Sequence, residues 1–427
     1  MSVRVVHAQV VTGDEARAAA QIRALSPPPP AIEDEVRALV RAVRDGGDVA
    51  VRELTARFDG AQVPPERLRV APGEIERAAA ALEPRLAQAL GAAIANVGEV
   101  ARASLHEPTT VTLADGQRVE IAELAVRRAG ACVPGRQAPY ASSVVMCAVT
   151  ARAAGVDELA VCAPPGPDGD AHPVILGACG LCGVDEVYRM GGAQAIAALA
   201  YGTDLIPAVD VIVGPGNAWV QEAKRQVVGR VAIDGVEGPS ELVVVASAGA
   251  DPGLAALDLL AQAEHGPGSL LVLVSEDGAL VEEVERAIRA ASPPDADVGK
   301  LPPLALVRAP DPATAVRLSD LIAPEHLQLT GAAAEAESAT VRSAGALFVG
   351  RDAGTAFGDY IAGSNHVLPT GGAARHASGL SAATFRRRMA RVTFPGGAAA
   401  ALAPAGATIA RAEGFAAHAE SMERRER

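Results

Sequence analysis

Apolar residues recur every three to four positions between residues 32 and 58, which predicts an amphipathic helix. The apolar face of that helix consists of Val36, Leu39, Val40 and Val43. Gly46 and Gly47 interrupt the pattern near its middle. Residues 1–25 have a short polar helical pattern, and the prolines at 27–30 predict an extended linker. Helical patterns continue over 75–104, and a pair of strands is expected at 110–126, around a turn at Asp115 and Gly116.

From residue 130 onwards, short apolar strands, glycine-rich turns and helices alternate. Strands are expected at 159–163, 185–190 and 209–213, and helices at 193–201 and 218–228. The alternation returns after residue 240, with strands at 241–246 and 270–274 and helices at 253–264 and 279–291. Alternating units of this kind predict parallel sheets. The predicted fold class is therefore α/β, with two incomplete Rossmann-like domains, a helical N-terminal arm and a helical C-terminal tail.

The last fifty residues contain a basic run and a polar helix. Arg386, Arg387 and Arg388 lie between two stretches rich in glycine and alanine, at 371–379 and 396–406. The run predicts a solvated helix end or a contact between subunits in preference to a nucleic-acid site. The terminal helix, expected at 407–424, carries Glu413 and His418. Such polar residues on a terminal helix are consistent with a tail that reaches across to a partner subunit.

Length and composition predict a globular chain of two or three domains. The chain has 427 residues, of which 49% are hydrophobic and 21% are charged. No apolar run reaches about 18 residues, so no membrane span is expected, and the acidic residues near the start argue against a signal peptide. The net charge of −13 and the aromatic content of 3% disfavour a nucleic-acid partner. The expected location is the cytoplasm.

Five cysteines are few for a chain of this length, which fits a reducing compartment. Cys179 and Cys182 have the CxxC spacing found in zinc and redox sites. The sequence contains no second pair with this spacing. Packed, unreactive thiols are therefore the preferred interpretation.

Residues with metal-binding side chains occur in separate segments. Gln262 and His265 lie three positions apart near the predicted end of a helix, where residues share one face. Asp359 and His418 add a carboxylate and a second imidazole. Zinc accepts nitrogen and oxygen ligands of these kinds. Each residue taken alone is more often an ordinary hydrogen-bonded group.

Glu325 and His326 are candidates for proton transfer. They follow Pro324, a residue suited to the first turn of a helix, and a helix is expected there. A neutral histidine can take a proton from an alcohol, and a carboxylate can activate water. The pair alone would usually be a helix cap. His366 lies in a loop of glycine and polar residues, the kind of loop that often binds ligands, although a structural histidine is the simpler alternative.

Two glycine-rich turns are candidates for cofactor binding, although the GxGxxG fingerprint of dinucleotide-binding proteins is absent from the sequence. One turn ends at Gln194 and the other at Asn217, and each joins a predicted strand to a predicted helix. Such turns offer backbone N–H groups to a phosphate. Glycine is also common in such turns for steric reasons alone, so this signal is weak.

Four segments together resemble the active site of the histidinol dehydrogenase family, and the resemblance covers nearly the whole chain. The segments are LAQAEHGPG at 260–268, APEHL at 323–327, GDYIAGSNH at 358–366 and AEGFAAH at 412–418. The resemblance implies that L-histidinol is oxidised through L-histidinal to L-histidine with two NAD⁺, the last step of histidine synthesis. It also implies one zinc ion per subunit and a homodimer with shared active sites.

The resemblance assigns a role to each candidate residue. The zinc ligands would be Gln262, His265, Asp359 and His418, and zinc would hold the imidazole and amine of the substrate. His326 would be the general base, and Glu325 would activate the hydrolytic water. Substrate would also contact Ser240, His366 and Glu413. Cys132, Gln194 and Asn217 would contact NAD⁺.

The turn that opens the second domain departs from the family pattern. The family usually has Tyr-Val-Pro-Gly-Gly there, whereas this chain has Cys132 in place of the tyrosine and Arg136 in place of the last glycine. Ala141 stands where proline is frequent. Loss of the ring removes apolar contact with the cofactor. A side chain at 136 would clash if the backbone needs positive φ, or would add a charge near the pyrophosphate. Weaker or altered NAD⁺ binding is expected.

The predicted domains are an arm at 1–29, a first Rossmann-like domain at 30–130 plus 242–380, a second at 131–241 and a dimerisation tail at 381–427. The first would carry the metal and catalytic residues, and the second would bind NAD⁺. Three alternatives stay open. They are a related enzyme on the same fold that oxidises another polar alcohol, a zinc hydrolase that uses Glu325 and water, and a non-catalytic relative.

Overall fold

The computed structural model describes residues 3–28, 30–135, 138–291 and 302–425. Its strands are β1 (Arg4–Gln9), β2 (Thr109–Thr112), β3 (Arg118–Ala125), β4 (Arg128–Cys132), β5 (Glu158–Ala163), β6 (Glu186–Arg189), β7 (Val211–Val213), β8 (Ala232–Ile233), β9 (Glu241–Ala246), β10 (Leu270–Ser275), β11 (Pro303–Arg308), β12 (His326–Thr330), β13 (Ala346–Val349) and β14 (Arg386–Thr393).

Its helices are α1 (Glu15–Arg23), α2 (Glu33–Asp59), α3 (Pro65–Leu68), α4 (Pro72–Ala80), α5 (Pro84–Ala103), α6 (Ala141–Ala154), α7 (Pro173–Leu181), α8 (Gly192–Tyr201), α9 (Ala218–Val227), α10 (Pro252–Ala263), α11 (Gly278–Ala291), α12 (Pro312–Ile322), α13 (Ala332–Ala336), α14 (Thr355–Tyr360), α15 (Ala398–Ala412) and α16 (Ala416–Glu423). Short 3₁₀ turns occur at Ser338–Thr340, Ala373–Arg375 and Ala382–Phe385.

The first sheet is parallel throughout and has the order β1-β11-β10-β9-β12-β13. Strands β9 and β10 are buried along their whole length because helices cover both faces. Val243 and Val245 face a core shared with α1 and α12. Leu242 and Val244 face the opposite core, shared with α10 and α11.

The second sheet is also parallel, with the order β6-β5-β4-β7-β8. One face packs against α5, α6 and α7, and the other against α2, α8 and α9. The α/β prediction with two parallel sheets is therefore confirmed. The predicted domain boundaries stay a prediction, and the packing adds that the helices between 33 and 103 cover the second sheet.

The N-terminal segment contains the predicted helix, α1, together with a strand that was not predicted. Strand β1 pairs in parallel with β11 at the edge of the first sheet, which fastens α1 to this sheet. The predicted interruption of α2 is confirmed, because Gly47 has φ 56° and ψ −140° inside the helix. Pro29 of the predicted linker lies outside the described residues.

A third, antiparallel sheet has the order β14-β3-β2 and contains the predicted strand pair at 110–126. The prediction of a helix end at 386–388 is wrong, because these arginines begin strand β14. The segment pairs along its whole length with β3, and opposite charges face each other across the two strands. Arg388 lies opposite Glu123 and Arg391 lies opposite Glu120, with ion-pair distances of 3.1 and 2.9 Å.

Helices α15 and α16 form the C-terminal tail and pack chiefly against each other. Their shared core is small and consists of Ala407, Ala410, Ala419 and Met422. Ile409 and Phe415 stay exposed on the outer surface of the tail. The tail is therefore helical, as predicted, and leaves apolar side chains uncovered within one chain.

Candidate active site

A cavity of about 830 Å³ lies between the two parallel sheets. One wall is formed at the amino ends of β9 and β12 in the first sheet, and we call this the catalytic wall. It includes Ser240, Glu325 and His326. The other comes from the carboxyl ends of β4 to β7 in the second sheet, and we call it the turn wall; it includes Cys132 and Asn217. The carboxyl edge of a parallel sheet is the usual ligand edge, whereas the catalytic wall uses the opposite edge.

Glu325 and His326 lie at the start of a strand, so the predicted helix after Pro324 is wrong. Helix α12 ends at Ile322, and Ala323 adopts a left-handed conformation with φ 51°. Proline disfavours the α conformation in the residue before it, which ends the helix. The buried segment 326–330 then pairs with β9 on one side and β13 on the other.

The Glu325 carboxylate accepts two hydrogen bonds, one from the first residue of β9 and one from the residue that precedes β9. Its Oε2 accepts from the Ser240 hydroxyl at 2.5 Å and from the Glu241 backbone N–H at 2.8 Å. Gln262 donates its amide N–H to the same Ser240 hydroxyl at 2.5 Å. Because that bond uses the amide nitrogen, the amide oxygen of Gln262 remains available as an acceptor or ligand.

The imidazole of His326 is fixed by its backbone neighbour on β9. Nδ1 lies 3.1 Å from the Glu241 carbonyl oxygen, which can only accept, so Nδ1 carries the proton in the neutral ring. Nε2 lies 3.7 Å from Oδ1 of Asp359. The basic nitrogen of the neutral ring therefore points toward Asp359, on the side that faces the cavity.

Nearby carboxylates dominate the charge state of His326. Burial alone would lower its pKa, but Glu325 and Asp359 outweigh burial and raise the pKa to about 10. Burial would raise the pKa of Asp359, but His326 outweighs it and lowers that pKa. The two carboxylates thus favour the imidazolium form of His326 over the neutral ring.

Asp359 and His366 reach the cavity from the end of α14 and the loop that follows it. His366 Nδ1 lies 2.8 Å from the Asp359 carbonyl oxygen, and Nε2 lies 3.2 Å from the Ser143 hydroxyl on α6. Burial lowers the pKa of His366, so its ring is neutral at pH 7. Because both nitrogens of the neutral His366 ring are hydrogen-bonded, this ring is a rigid part of the cavity lining.

His265 also lines the cavity, and its side chain is exposed. It lies two residues beyond the end of α10, in a turn where its backbone N–H donates to the Gln262 carbonyl at 3.2 Å. The charge of His265 contributes to the lowered pKa of Asp359, which places the two groups close together. The ends of helices α10 and α14 thus bring three side chains to one region, those of Gln262, His265 and Asp359.

Glu413 and His418 do not line this cavity in the described part of the chain. Both are exposed on the tail, and the His418 ring lies 5.2 Å from the ring of Phe415. Among the described residues, no three His, Cys, Asp or Glu side chains are arranged to hold a metal ion. One chain therefore brings together Gln262, His265 and Asp359 but leaves out the second predicted imidazole ligand.

The turn wall contains the three predicted cofactor contacts, Cys132, Gln194 and Asn217. Asn217 is the N-cap of α9, and its side chain accepts from Trp219 and Val220 N–H at 3.1 and 3.2 Å. Gln194 donates to the Asp59 carboxylate at 3.3 Å. Arg136 lies outside the described residues.

A buried lysine that the sequence analysis did not single out supports the turn wall. Lys224 Nζ donates to the Gly214 carbonyl at 3.0 Å and pairs with Asp234 and Glu237 at 2.5 and 3.1 Å. Asp234 also accepts from Gly214 N–H at 2.6 Å. Gly214 has φ 111°, and a Cβ there would lie 2.2 Å from the Cys132 carbonyl oxygen, so only glycine fits.

All five cysteines are free thiols. Burial raises the pKa of Cys179 well above its usual value and raises that of Cys182 to about 12. The pair thus has the properties expected of packed thiols. No described helix combines the length and the apolarity needed to cross a bilayer.

Comparison with known proteins gives a consistent result. A family profile described as histidinol dehydrogenase matches residues 28–426. Histidinol dehydrogenase of Gluconobacter oxydans is 44% identical over 401 residues, covering 92% of each chain. That of Rhodospirillum rubrum is also 44% identical over 401 residues, covering 92% of this chain and 91% of the relative. The crystal structure of histidinol dehydrogenase from Elizabethkingia anophelis superimposes with a TM-score of 0.90 at 28% identity, covering 99% of this chain and 98% of that one.

Proposed function

Because the chain belongs to the histidinol dehydrogenase family, we propose that it oxidises L-histidinol through L-histidinal to L-histidine with two NAD⁺ and one zinc ion per subunit. The observation that carries this proposal is the buried pair Glu325–His326. It lies at the cavity between the two sheets with Ser240 and Asp359 beside it. A base that accepts the alcohol proton and a carboxylate that activates water suit an oxidation of an alcohol to an acid in which NAD⁺ accepts the hydride.

The zinc ligands would be Gln262, His265 and Asp359 of one subunit and His418 of a second. The three donors of one chain fit zinc in their chemistry, since they offer an amide oxygen, an imidazole and a carboxylate. The bond from Gln262 to Ser240 orients the amide so that its oxygen is the free atom. Bound zinc would act as a Lewis acid and would hold the substrate's imidazole and amine.

His326 would be the general base that takes the proton of the substrate hydroxyl. Its Nδ1–H is committed to the Glu241 carbonyl, which leaves Nε2 as the accepting atom. A base must be neutral before it accepts, and the pKa of about 10 reflects the charges of Glu325 and Asp359. A cation bound by Asp359 would weaken the stabilisation of the imidazolium by that carboxylate and so would lower the pKa of His326, while Glu325 would still act to raise it.

Glu325 would activate water for addition to L-histidinal. Ser240 and the backbone of Glu241 fix its carboxylate through Oε2. A fixed carboxylate can accept a proton from water in a defined direction, which suits addition to an aldehyde. Hydride transfer from the hydrated aldehyde would then give the acid and the second NADH.

NAD⁺ would bind along the turn wall, with contacts to Cys132, Gln194 and Asn217. The backbone at Gly214 approaches Cys132 so closely that no side chain fits between them. The N-terminus of α9 begins at Asn217, and a helix N-terminus attracts phosphate. The cysteine at 132 would give the cofactor less apolar contact than the tyrosine usual in the family.

The functional unit would be a homodimer in the cytoplasm. Glu413 and His418 would complete the active site of the partner subunit, with Glu413 contacting substrate. The tail that carries them leaves Ile409 and Phe415 exposed within one chain, as expected for a segment that packs on a second subunit. A fully active monomer in solution would contradict this arrangement.

The test is the number of NADH formed per L-histidinol consumed by zinc-loaded protein. Two NADH per substrate, with turnover lost in His326→Ala and kept in His376→Ala, would support the proposal. His376 is an exposed histidine outside the cavity lining. Turnover of another amino alcohol, but not of L-histidinol, would instead favour a related dehydrogenase. Zinc-dependent hydrolysis without NAD⁺ would favour a hydrolase.

A further inference from the structure

A partly buried ion pair lies directly behind the catalytic pair. Arg23, the last residue of α1, contacts the carboxylate of Glu241, the first residue of β9. The two residues are 218 positions apart in the chain. We propose that Arg23 and Glu241 are positioning residues that fix the geometry of Glu325 and His326, an inference that rests on the function proposed above.

Glu241 contacts both catalytic residues. Its backbone N–H donates to the Glu325 carboxylate at 2.8 Å, and its backbone carbonyl oxygen lies 3.1 Å from His326 Nδ1. Its side-chain Oε2 accepts from the Glu325 backbone N–H at 3.3 Å. A shift of the Glu241 side chain would therefore release the Glu325 backbone N–H, and a shift of the Glu241 backbone would change the hydrogen bond that fixes the His326 tautomer.

The side chain of Glu241 is 4% exposed, so its charge needs a partner. Arg23 supplies that partner at Oε1, where the Gly371 backbone N–H also donates at 3.0 Å. Without Arg23 the buried carboxylate would be uncompensated and would become protonated or turn toward water. Either change would alter the acceptor that faces the Glu325 backbone.

Arg23 also holds the turn that precedes the catalytic pair. Its guanidinium donates to the Ile322 carbonyl at 2.8 Å and to the Ala323 carbonyl at 2.9 Å. Ala323 is the only non-glycine residue with positive φ in the described part of the chain. Such a conformation persists only where the surroundings enforce it. Arg23 thus binds both the strained turn and the carboxylate behind the catalytic pair.

A purely structural role for Arg23 would be to tie α1 to the first sheet. A second ion pair provides the matched control, because Arg317 on α12 pairs with Glu15 on α1 at 3.1 Å. Both pairs join α1 to the α12 region, but the Arg317 pair makes no contact with Glu241, Glu325 or His326 among the described residues. Arg317→Gln therefore removes a tie between α1 and α12 without touching the positioning contacts, and this tie is more exposed to solvent than the pair formed by Arg23.

The experiment compares Arg23→Gln, Arg23→Lys and Arg317→Gln in the zinc-loaded full-length protein, with L-histidinol and NAD⁺. We expect Arg23→Gln to lower kcat at least tenfold while the KM for L-histidinol changes less than twofold, because substrate ligands are untouched. Arg23→Lys should recover part of kcat by restoring the charge. Arg317→Gln should keep kcat within twofold. Equal kcat values for Arg23→Gln and wild type, or equal losses in both Gln variants, would overturn the proposal.

A spectroscopic measurement separates this inference from the proposed reaction. With ¹⁵N-labelled histidine, the Nδ1–H of His326 should give a downfield, slowly exchanging NMR signal in wild type and Arg317→Gln but not in Arg23→Gln. That result would support positioning even if wild type did not turn over L-histidinol, which would contradict only the proposed function. If Arg23→Gln does not fold, Glu241→Gln should show the same loss of kcat and signal. Retention of both in a folded Glu241→Gln would overturn the proposal.

Discussion

The two walls of the cavity are built in opposite ways. The turn wall consists mainly of backbone at the carboxyl ends of parallel strands, where Gly214 and the N-cap Asn217 set the path of the chain. The catalytic wall consists of side chains at the amino ends of β9 and β12, and its groups hold one another through hydrogen bonds. Backbone turns tolerate changes in most side chains, whereas a side-chain network depends on each member.

This difference indicates which substitutions should affect binding and which should affect chemistry. Changes on the turn wall should act on NAD⁺ affinity and on local stability. Changes on the catalytic wall should act on kcat, because those groups contact the reacting atoms in the proposed function. Substitutions on the two walls should therefore give separable effects.

Glu325→Gln should give the largest change in rate. The amide keeps the size of the side chain but cannot take a proton from water, and general base catalysis contributes about 10²–10⁴-fold. With L-histidinal and NAD⁺ as substrates, kcat should fall by about that factor in a stopped-flow assay of NADH. The NAD⁺ dissociation constant should stay within twofold. Loss of NAD⁺ binding with normal chemistry would contradict the division between the walls.

Lys224→Met should give the largest loss of stability on the turn wall. It leaves Asp234 and Glu237 buried without their cation, and breaking a buried pair costs about 3–5 kcal/mol. Trp219, the one tryptophan of the chain, lies on the same helix and reports its unfolding in urea by fluorescence. The KM for NAD⁺ should rise, since Lys224 also binds the Gly214 carbonyl.

The neighbouring Arg225→Met is the control for Lys224→Met. Arg225 is half-exposed and pairs with Glu222 at 2.7 Å on the surface of the same helix. Solvent screens such a pair, so its removal should cost about 0–1 kcal/mol. If both variants lose the same stability, the buried network does not support the turn wall.

The parts of the fold that follow from local pattern could be predicted from the sequence. Gly47 interrupts α2 as its position in the apolar pattern predicted, and strands β5, β6, β7, β9 and β10 lie at the short apolar runs predicted as strands. The strand at Arg386–Thr393 was missed because its pairing partner, β3, lies more than 260 residues earlier in the chain. A charge pair between two distant strands leaves no recognisable pattern in the sequence of either strand alone.

Prediction of the site from the sequence has the same limit, since contacts between distant segments leave no local pattern. Ser240, Glu325, His326, Asp359 and His366 lie together at the cavity, although their proposed roles remain predictions. The supporting pairs Arg23–Glu241 and Lys224–Asp234 were missed because tertiary contact alone identifies them. Glu413 and His418 do not line the cavity of one chain in its described part, and their proposed contribution would come from a second subunit. Local motifs thus identify residues that contact ligands more readily than residues that support them.

The charge on the catalytic wall predicts a pH-dependent stability in chelator-treated protein. The folded-state pKa of His326 is about 10, above its ordinary value of 6.5, because Glu325 and Asp359 outweigh burial. Such a group contributes stability that is complete below pH 6.5 and is lost as the pH rises through about 10. The melting temperature of wild type minus that of His326→Gln should therefore decrease between these values. His376→Gln, at an exposed site, is the control, and a pH-independent difference for His326→Gln would contradict the raised pKa.

Cys132→Tyr should give the smallest effect and tests the departure of the turn wall from the family pattern. Cys132 is 7% exposed and lines the cavity beside Gly214, so a ring there would add apolar contact for NAD⁺. A partly buried aromatic contact contributes about 1 kcal/mol, which is roughly a fivefold lower dissociation constant. Titration calorimetry with NAD⁺ measures this directly, and Cys147→Ala, a buried thiol away from the cavity, is the control. Because the tyrosine would contact cofactor and not the proton-transfer groups, kcat at saturating NAD⁺ should stay within twofold. A change in kcat without a change in affinity would show that the two walls do not act separately.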